Sequence, residues 1–194
     1  MTTGALSAGS TPRTGLASPD ARRLAALNLV GGACVLASYA WGFLARPEAV
    51  GALWGGVPES IRPLYTLNML LAAAGYFLFT PFILLRLPPD GTQVAGGFGY
   101  RFFHAAYALV LLPSALWMPL TFALVEHPSE ALFWLVRLDL ALVAVGSLGL
   151  LFALLGLARP RPARGRGLAI AGLVHFCIQT AVLDAVVWPA FFAI

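Results

Sequence analysis

Five long apolar segments constrain this chain more than any other feature of its sequence. They cover approximately residues 21–45, 63–86, 100–124, 131–157 and 167–192. Each is close to or longer than the roughly 20 residues that a helix needs to cross about 30 Å of hydrocarbon. Only helices and closed barrels satisfy their backbone hydrogen bonds inside a bilayer, and segments of this length are typical of helices. The sequence therefore predicts an all-α fold, an integral membrane bundle of five transmembrane helices.

The charge content of the chain agrees with a lipid environment. Of its 194 residues, 60% are hydrophobic and 10% are charged, whereas about 25% of the residues of a soluble protein are charged. The net charge of +4 comes from arginine, because the sequence contains no lysine, and the arginines cluster at the ends of the apolar segments. That placement indicates membrane topology and no nucleic-acid partner. Residues 1–20 predict a mobile N-terminal tail, and residues 21–194 a single transmembrane domain.

The distribution of the arginines predicts how the bundle is oriented. Nine arginines lie in the tail and the start of the first helix, in the second loop and in the fourth loop, whereas two lie in the first loop. Because positive charge is retained on the cytoplasmic side, we expect a cytoplasmic N-terminus and a non-cytoplasmic C-terminus. The fourth loop, ARPRPARGRG, is also suited to binding anionic lipid headgroups.

A group of polar and aromatic residues is predicted to lie inside the bilayer, in the half nearer the first loop. A rise of about 1.5 Å per residue places Arg137 and Asp139 roughly 9–12 Å from that surface, and Asp184 at about the same depth. Charges at this depth usually face a partner or a cavity, so we expect Arg137 to pair with Asp184. The other members of the group are Asn68, Trp117 and Trp188.

Two interpretations of this group stay open at the level of sequence. It could be an interhelical hydrogen-bond network that only fixes packing. It could also line a cavity for an amphipathic ligand, because apolar walls with a few convergent polar groups are typical of such cavities. In the second interpretation residues 46–62 of the first loop form a lid, aromatic side chains stack on a flat ligand, and Arg137 or Asn68 orients a carboxylate or hydroxyl.

Two histidines form another candidate pair in the opposite half of the bundle. His104 and His175 differ in depth by roughly 6 Å, so both could ligate one b-type haem, for which histidine is a common axial ligand. They could equally be packing or interfacial residues. Cys34 and Cys177 both fall in apolar segments without metal-ligand spacing, and we expect them to be buried as small hydrophobic side chains.

Motifs of the well-known enzyme classes are missing from the sequence. It has no nucleophile elbow, metal-ligand triplet, phosphate-binding loop or pair of carboxylates on one helix face. The glycines at 96, 97 and 99 follow no predicted strand, which argues against a dinucleotide site. We therefore expect a protein that is not an enzyme, with an enzyme acting on a lipid as an alternative for which no residue set is nominated.

Short motifs in all five apolar segments, in chain order, resemble those of the TspO (tryptophan-rich sensory protein, or translocator protein) family. Trp41 to Pro47 is similar to the family's entry into a long first loop. The other motifs are LYTLNM in segment 2, ALWMPLTF in segment 3, RLDLALVAVGS with Asp139 in segment 4, and LDAVVW in segment 5. The chain departs from the family pattern at positions where the family has tryptophan or a Pro-Tyr pair, which are here Ile61, Gly172, Leu173 and Phe176.

The resemblance implies a cavity near the first loop that binds a flat amphipathic ligand, such as a tetrapyrrole or a sterol, often in a homodimer. It agrees with the residue group inferred from depth, so we expect ligand binding through Asn68, Trp117, Arg137, Asp139, Asp184 and Trp188, with a porphyrin or haem as a possible cofactor. For self-association the sequence offers a small-residue ridge at Gly149 and Ala153. The alternatives are an accessory subunit of a larger membrane complex, and a haem b electron-transfer protein that uses His104 and His175.

Overall fold

The structure is a computed structural model that describes residues 15–159 and 164–192. Its long helices are α1 (Pro19–Ala45), α2 (Arg62–Arg86), α3 (Arg101–Glu126) and α4 (Glu130–Leu155). The fifth span begins as α5 (Arg166–Cys177), continues as a π-helix (Ile178–Val187) and ends as α6 (Trp188–Phe191). All five spans are long and apolar enough to cross a membrane. The predicted all-α bundle of five transmembrane helices is confirmed.

The ends of the helices follow from local capping. Ser18 accepts a hydrogen bond from the Asp20 N–H, and Pro19 occupies the first turn of α1. Ser129 caps α4 in the same way by accepting from the Leu132 N–H. Because the first N–H groups of a helix have no partner within it, such side chains fix where the helix starts. The described part of the chain begins before residue 20, with a short 3₁₀ helix at Gly15–Ala17, and the rest of the predicted tail lies outside the described residues.

The helices form a ring with one loosely closed side. Helix α1 packs on α3, α3 on α4, α4 on the fifth span, and the fifth span on α2, whereas α1 and α2 make few contacts. The α2–α5 contact is close because two glycines meet there, and a Cβ built on Gly172 would lie 2.7 Å from the Gly75 Cα. The outward surface is apolar, as the exposed fractions of Leu44 (83%) and Phe77 (74%) illustrate. Such a surface is compatible with lipid around the bundle.

A small antiparallel sheet, which the sequence analysis did not predict, joins the second and fourth loops. Its strands are β1 (Gln93–Val94), β2 (Phe98–Gly99) and β3 (Leu157–Arg159), in the order β2-β1-β3. Gly96 and Gly97 adopt positive φ angles in the β1–β2 turn, which glycine does without steric cost. The expectation that no strand precedes these glycines was wrong, because strands of two or three residues are too short to show alternation. The glycines form a hairpin turn.

The largest cluster of buried hydrophobic side chains lies in the half of the bundle nearer the arginine-rich loops. Phe79, Phe103 and Tyr107 are fully buried there. Ala153 is also fully buried, and Gly149 faces Phe102 of α3. The predicted ridge at Gly149 and Ala153 therefore packs inside the monomer, because α4 uses its small residues to approach α3. The prediction for the cysteines was half wrong, since Cys177 is buried but Cys34 is exposed on the apolar outer surface.

Candidate functional site

A cavity of about 400 Å³ lies in the half of the bundle nearer the first loop. All five spans contribute to its wall, and a 3₁₀ helix of the first loop, Pro47–Trp54, which we call the lid helix, closes the end. Most of the wall is apolar. The side chains that carry polar atoms into the lining are Tyr39, Trp54, Tyr65, Ser114, Trp117, Gln179, Thr180, Asp184 and Trp188.

Aromatic rings form two sides of the cavity. The Tyr39 ring of α1 stacks on the Trp117 ring of α3, with centroids 5.8 Å apart and planes at 25°. On the other side, the Trp54 ring of the lid helix meets the Tyr65 ring of α2 edge-on, at 5.9 Å. Rigid aromatic surfaces give a large apolar contact area at low cost in side-chain entropy. They make the cavity suited to a flat ring system.

The π-helix places the main polar group of the cavity. Residues five positions apart stand next to each other in a π-helix, and Gln179 and Asp184 have this spacing. The Gln179 Nε2 donates to the Asp184 Oδ1 over 2.8 Å. In an α-helix residues three and four apart are neighbours, so this pair depends on the local π geometry.

A chain of hydrogen bonds continues from Gln179 to α2 and back to α5. The Asn68 Nδ2 donates to the Gln179 Oε1 over 3.1 Å and lies 3.2 Å from the His175 carbonyl oxygen. The Asn68 Oδ1 lies 3.3 Å from the His175 Nδ1. Asn68 thus does not line the cavity itself, but it holds the lining residue Gln179 in place by a hydrogen bond.

The lid helix is tied to the end of the fifth span. The Trp188 Nε1 donates to the Leu53 carbonyl oxygen over 2.8 Å, and the Gly56 N–H donates to the Phe191 carbonyl oxygen over 3.1 Å. The Tyr65 hydroxyl donates to the Leu183 carbonyl oxygen of the π-helix. These contacts close the cavity toward the membrane surface.

The side between α1 and α2 is more open. Phe43 of α1 and Met69 of α2 both line the cavity and are also exposed on the outer surface, by 50% and 42%. Because α1 and α2 make few contacts, this side of the cavity is the one that opens toward the apolar outer surface.

The structure brings half of the predicted site residues together. Trp117, Asp184 and Trp188 line the cavity, and Asn68 supports it from behind. The predicted ion pair between Arg137 and Asp184 was wrong. Within residues 15–159 and 164–192 the ion pairs are Arg23–Asp20, Arg46–Glu126 and Arg62–Glu59.

Arg137 and Asp139 lie outside the lining of the cavity. The Arg137 guanidinium lies over the Trp134 ring, 4.9 Å from its centroid, and over the Phe133 ring at 5.5 Å, an arrangement stabilised by cation–π attraction. Asp139 lines a separate apolar groove between α3 and α4, and its Oδ2 has no hydrogen-bond partner in the described part of the chain. The position of a residue along a helix fixes its height in the membrane but not the direction of its side chain around the helix axis. Depth alone therefore assigned both residues to the predicted site.

His104 and His175 occupy different surroundings. The His104 Nε2 lies 3.0 Å from the Asp20 carbonyl oxygen at the start of α1, whereas the His175 Nδ1 faces Asn68 of α2. Among the described residues no three His, Cys, Asp or Glu side chains are grouped as a metal site. Each histidine thus has a hydrogen-bond partner within the bundle, and the His104 Nδ1 has none among the described residues.

Gln179 and Tyr39 are the main cavity residues that the sequence analysis missed. Gln179 is a polar residue in an apolar span, which by itself marks a buried contact, but its pairing with Asp184 depends on the π-helix. Tyr39 carries no signal beyond its position in the first span.

No protein-family model, curated protein or solved structure matches this chain.

Proposed function

We propose that the bundle binds a flat, largely apolar ligand with one polar end in the cavity beneath the lid helix, without transforming it. The observation that carries this proposal is the combination of a cavity of about 400 Å³ with stacked aromatic walls and a single carboxylate. Ligand sites in proteins typically measure about 300–1,000 Å³ and pair apolar walls with a few convergent polar groups. Tetrapyrroles and sterols, which the TspO resemblance implies, belong to this class of ligand.

The position of the entrance supports a ligand that arrives from the membrane. Phe43 and Met69 place the opening between α1 and α2 on the apolar outer surface. The lid helix is bound to Trp188, and Gly56 just after it to Phe191, at the end of the fifth span. A ligand that partitions into lipid would therefore reach the cavity sideways. We also infer, from the arginine distribution, that the end opposite the lid helix faces the cytoplasm.

Tryptophan fluorescence tests the proposed function. Three of the five tryptophans, Trp54, Trp117 and Trp188, line the cavity, so a flat acceptor such as 1-pyrenemethanol should quench them by energy transfer at a saturating 1:1 ratio in neutral detergent. Displacement by protoporphyrin or by cholesterol would identify the ring class. Energy transfer that rises linearly with probe concentration contradicts the proposal, because partition of the probe into the micelle would give that result.

An absorption spectrum of the same sample tests the haem alternative. A haem band in the protein as purified, lost on His104→Ala and on His175→Ala, would favour electron transfer over the proposed function. The separate hydrogen bonds of the two histidines lead us to expect no such band.

A further inference from the structure

The hydrogen bonds behind the cavity have a fixed direction. A backbone carbonyl can only accept, so the Asn68 atom 3.2 Å from the His175 carbonyl oxygen is the Nδ2 donor. The Asn68 Oδ1 is then the acceptor that faces the His175 Nδ1, which must carry a hydrogen. The same Nδ2 also donates to the Gln179 Oε1, which turns the Gln179 Nε2 toward Asp184.

The side-chain bonds that lead from His175 through Asn68 and Gln179 therefore each donate toward Asp184, where the chain ends on an acceptor. Only the Asp184 Oδ1 has a protein partner in the described part of the structure. A carboxylate has about four acceptor positions on its two oxygens, and Asp184 is a partly exposed residue of the cavity lining. Most of its capacity to accept hydrogen bonds is thus free to face a ligand.

No cationic side chain among the described residues lines the cavity to neutralise this carboxylate. The lining includes no Arg or His, and no salt bridge to Asp184 occurs within residues 15–159 and 164–192. Arg137, which lies within α4, is held over Trp134 and Phe133. A carboxyl group at membrane depth is costly without a partner.

Several other donors and acceptors of the lining are engaged within the protein, whereas the buried Trp117 Nε1 has no partner among the described residues. The Trp188 N–H is bound to the Leu53 carbonyl oxygen, and the Tyr65 hydroxyl to the Leu183 carbonyl oxygen. The Gln179 amide uses its oxygen on Asn68 and its nitrogen on Asp184. Asp184 is the only charged side chain among the described residues of the lining, so it decides which charged end of a ligand the cavity accepts.

We infer that the cavity selects ligands whose polar end donates hydrogen bonds, above all a protonated amine on a flat ring system, and that it discriminates against carboxylates. This inference rests on the proposed function and narrows it to lipophilic amines. An ammonium group supplies both the donors and the positive charge that Asp184 lacks, and hydrogen bonds between charged groups are about twice as strong as neutral ones. A ligand carboxylate would instead face a second acid, in a lining whose described residues offer it no positive charge.

Three probes that share one ring system test this inference: 1-pyrenemethylamine, 1-pyrenemethanol and 1-pyrenecarboxylate. In neutral detergent we expect the amine to bind wild-type protein at least tenfold more tightly than the carboxylate, with the alcohol between them. The protein as a whole has a net charge of +4 and so attracts anions. A preference for the amine must therefore come from the cavity.

Two carboxylate variants show where the preference arises. Asp184→Asn keeps an oxygen that can accept from Gln179 but removes the charge, and it should bring the amine and the carboxylate within threefold of each other. Asp139→Asn removes the same charge from a span at similar depth, outside the cavity, and should leave the preference within threefold of the wild-type value.

The outcomes separate this inference from the proposed function. Equal affinities for the three probes in wild-type protein, or an amine preference that survives in Asp184→Asn, would overturn the inference while the cavity stands. Failure of 1-pyrenemethanol to bind saturably would overturn the proposed function itself. If Asp184→Asn does not fold, the wild-type comparison of amine with carboxylate decides the inference, and Asp184→Glu should keep the amine preference.

Discussion

The contact between α2 and α5 makes a quantitative prediction for one glycine. A Cβ on Gly172 would lie 2.7 Å from the Gly75 Cα and 3.0 Å from the Gly75 carbonyl oxygen. Non-bonded carbon atoms prefer a separation of about 3.5–4.0 Å. Because both obstructing atoms belong to the backbone, they cannot rotate away, and Gly172→Ala must push the two helices apart by about 1 Å.

The expected loss of stability follows from this displacement. Overpacking of this kind costs about 1–3 kcal/mol, and the better helix propensity of alanine returns up to about 1 kcal/mol. The displacement also stretches the hydrogen bonds from Asn68 to Gln179 and His175, which cross the same interface, and such bonds contribute about 0.6 kcal/mol each in membrane proteins. We expect Gly172→Ala to destabilise the bundle by about 1–3 kcal/mol.

The two cysteines provide the assay. Cys177 is buried on α5 and Cys34 is exposed, so in a Cys34→Ser background a thiol-reactive dye reports unfolding through Cys177 alone. For a protein of this size 1 kcal/mol corresponds to about 2–4 °C in Tm, so Gly172→Ala should melt about 2–12 °C lower. The matched control is Gly32→Ala in α1, where an added Cβ meets no atom within 4 Å. If both variants melt at the wild-type temperature, the close crossing of α2 and α5 is wrong.

Further predictions concern the lid helix, the inner core and the topology. Trp188→Phe removes the bond to the Leu53 carbonyl oxygen and, at about 1 kcal/mol for a hydrogen bond, should speed hydrogen exchange in residues 47–54 by about fivefold; unchanged exchange would contradict the role of the bond. Tyr107→Phe breaks a buried hydrogen bond to α2 and should cost about 0.5–1.5 kcal/mol. Tyr100→Phe should cost nothing, because the Tyr100 hydroxyl has no partner among residues 15–159 and 164–192, and equal losses for the two would be inconsistent with this. A reporter in the fourth loop should score as cytoplasmic and one after Ile194 as non-cytoplasmic, and the reverse pattern would overturn the orientation.

The spans could be predicted from the sequence because their length and their flanking breaker residues are enough to define a helix in lipid. Helix α4, for example, begins at Glu130 directly after its Ser129 cap. The small sheet could not be predicted, since β1 has two residues and its partner β3 lies more than sixty residues further along the chain.

The candidate site was predictable in part, for a geometric reason. Trp117, Asp184 and Trp188 could be placed near one another from their depth, and the structure brings them to one cavity. Arg137 has the same depth but a different direction around its helix, where neighbouring aromatic rings hold it. The π-helix adds a further change of direction that brings Gln179 beside Asp184, and no periodicity in the sequence indicates where an α-helix widens.

Filling the cavity tests the proposed function most directly. Ala73 lines the cavity, whereas Ala74, the next residue of α2, does not, and both are exposed. We predict that Ala73→Phe weakens saturable binding of 1-pyrenemethanol at least tenfold, that Ala74→Phe changes it less than twofold, and that both variants melt within a few degrees of wild type. Equal binding by the two folded variants would show that the ligand site, if there is one, lies outside this cavity.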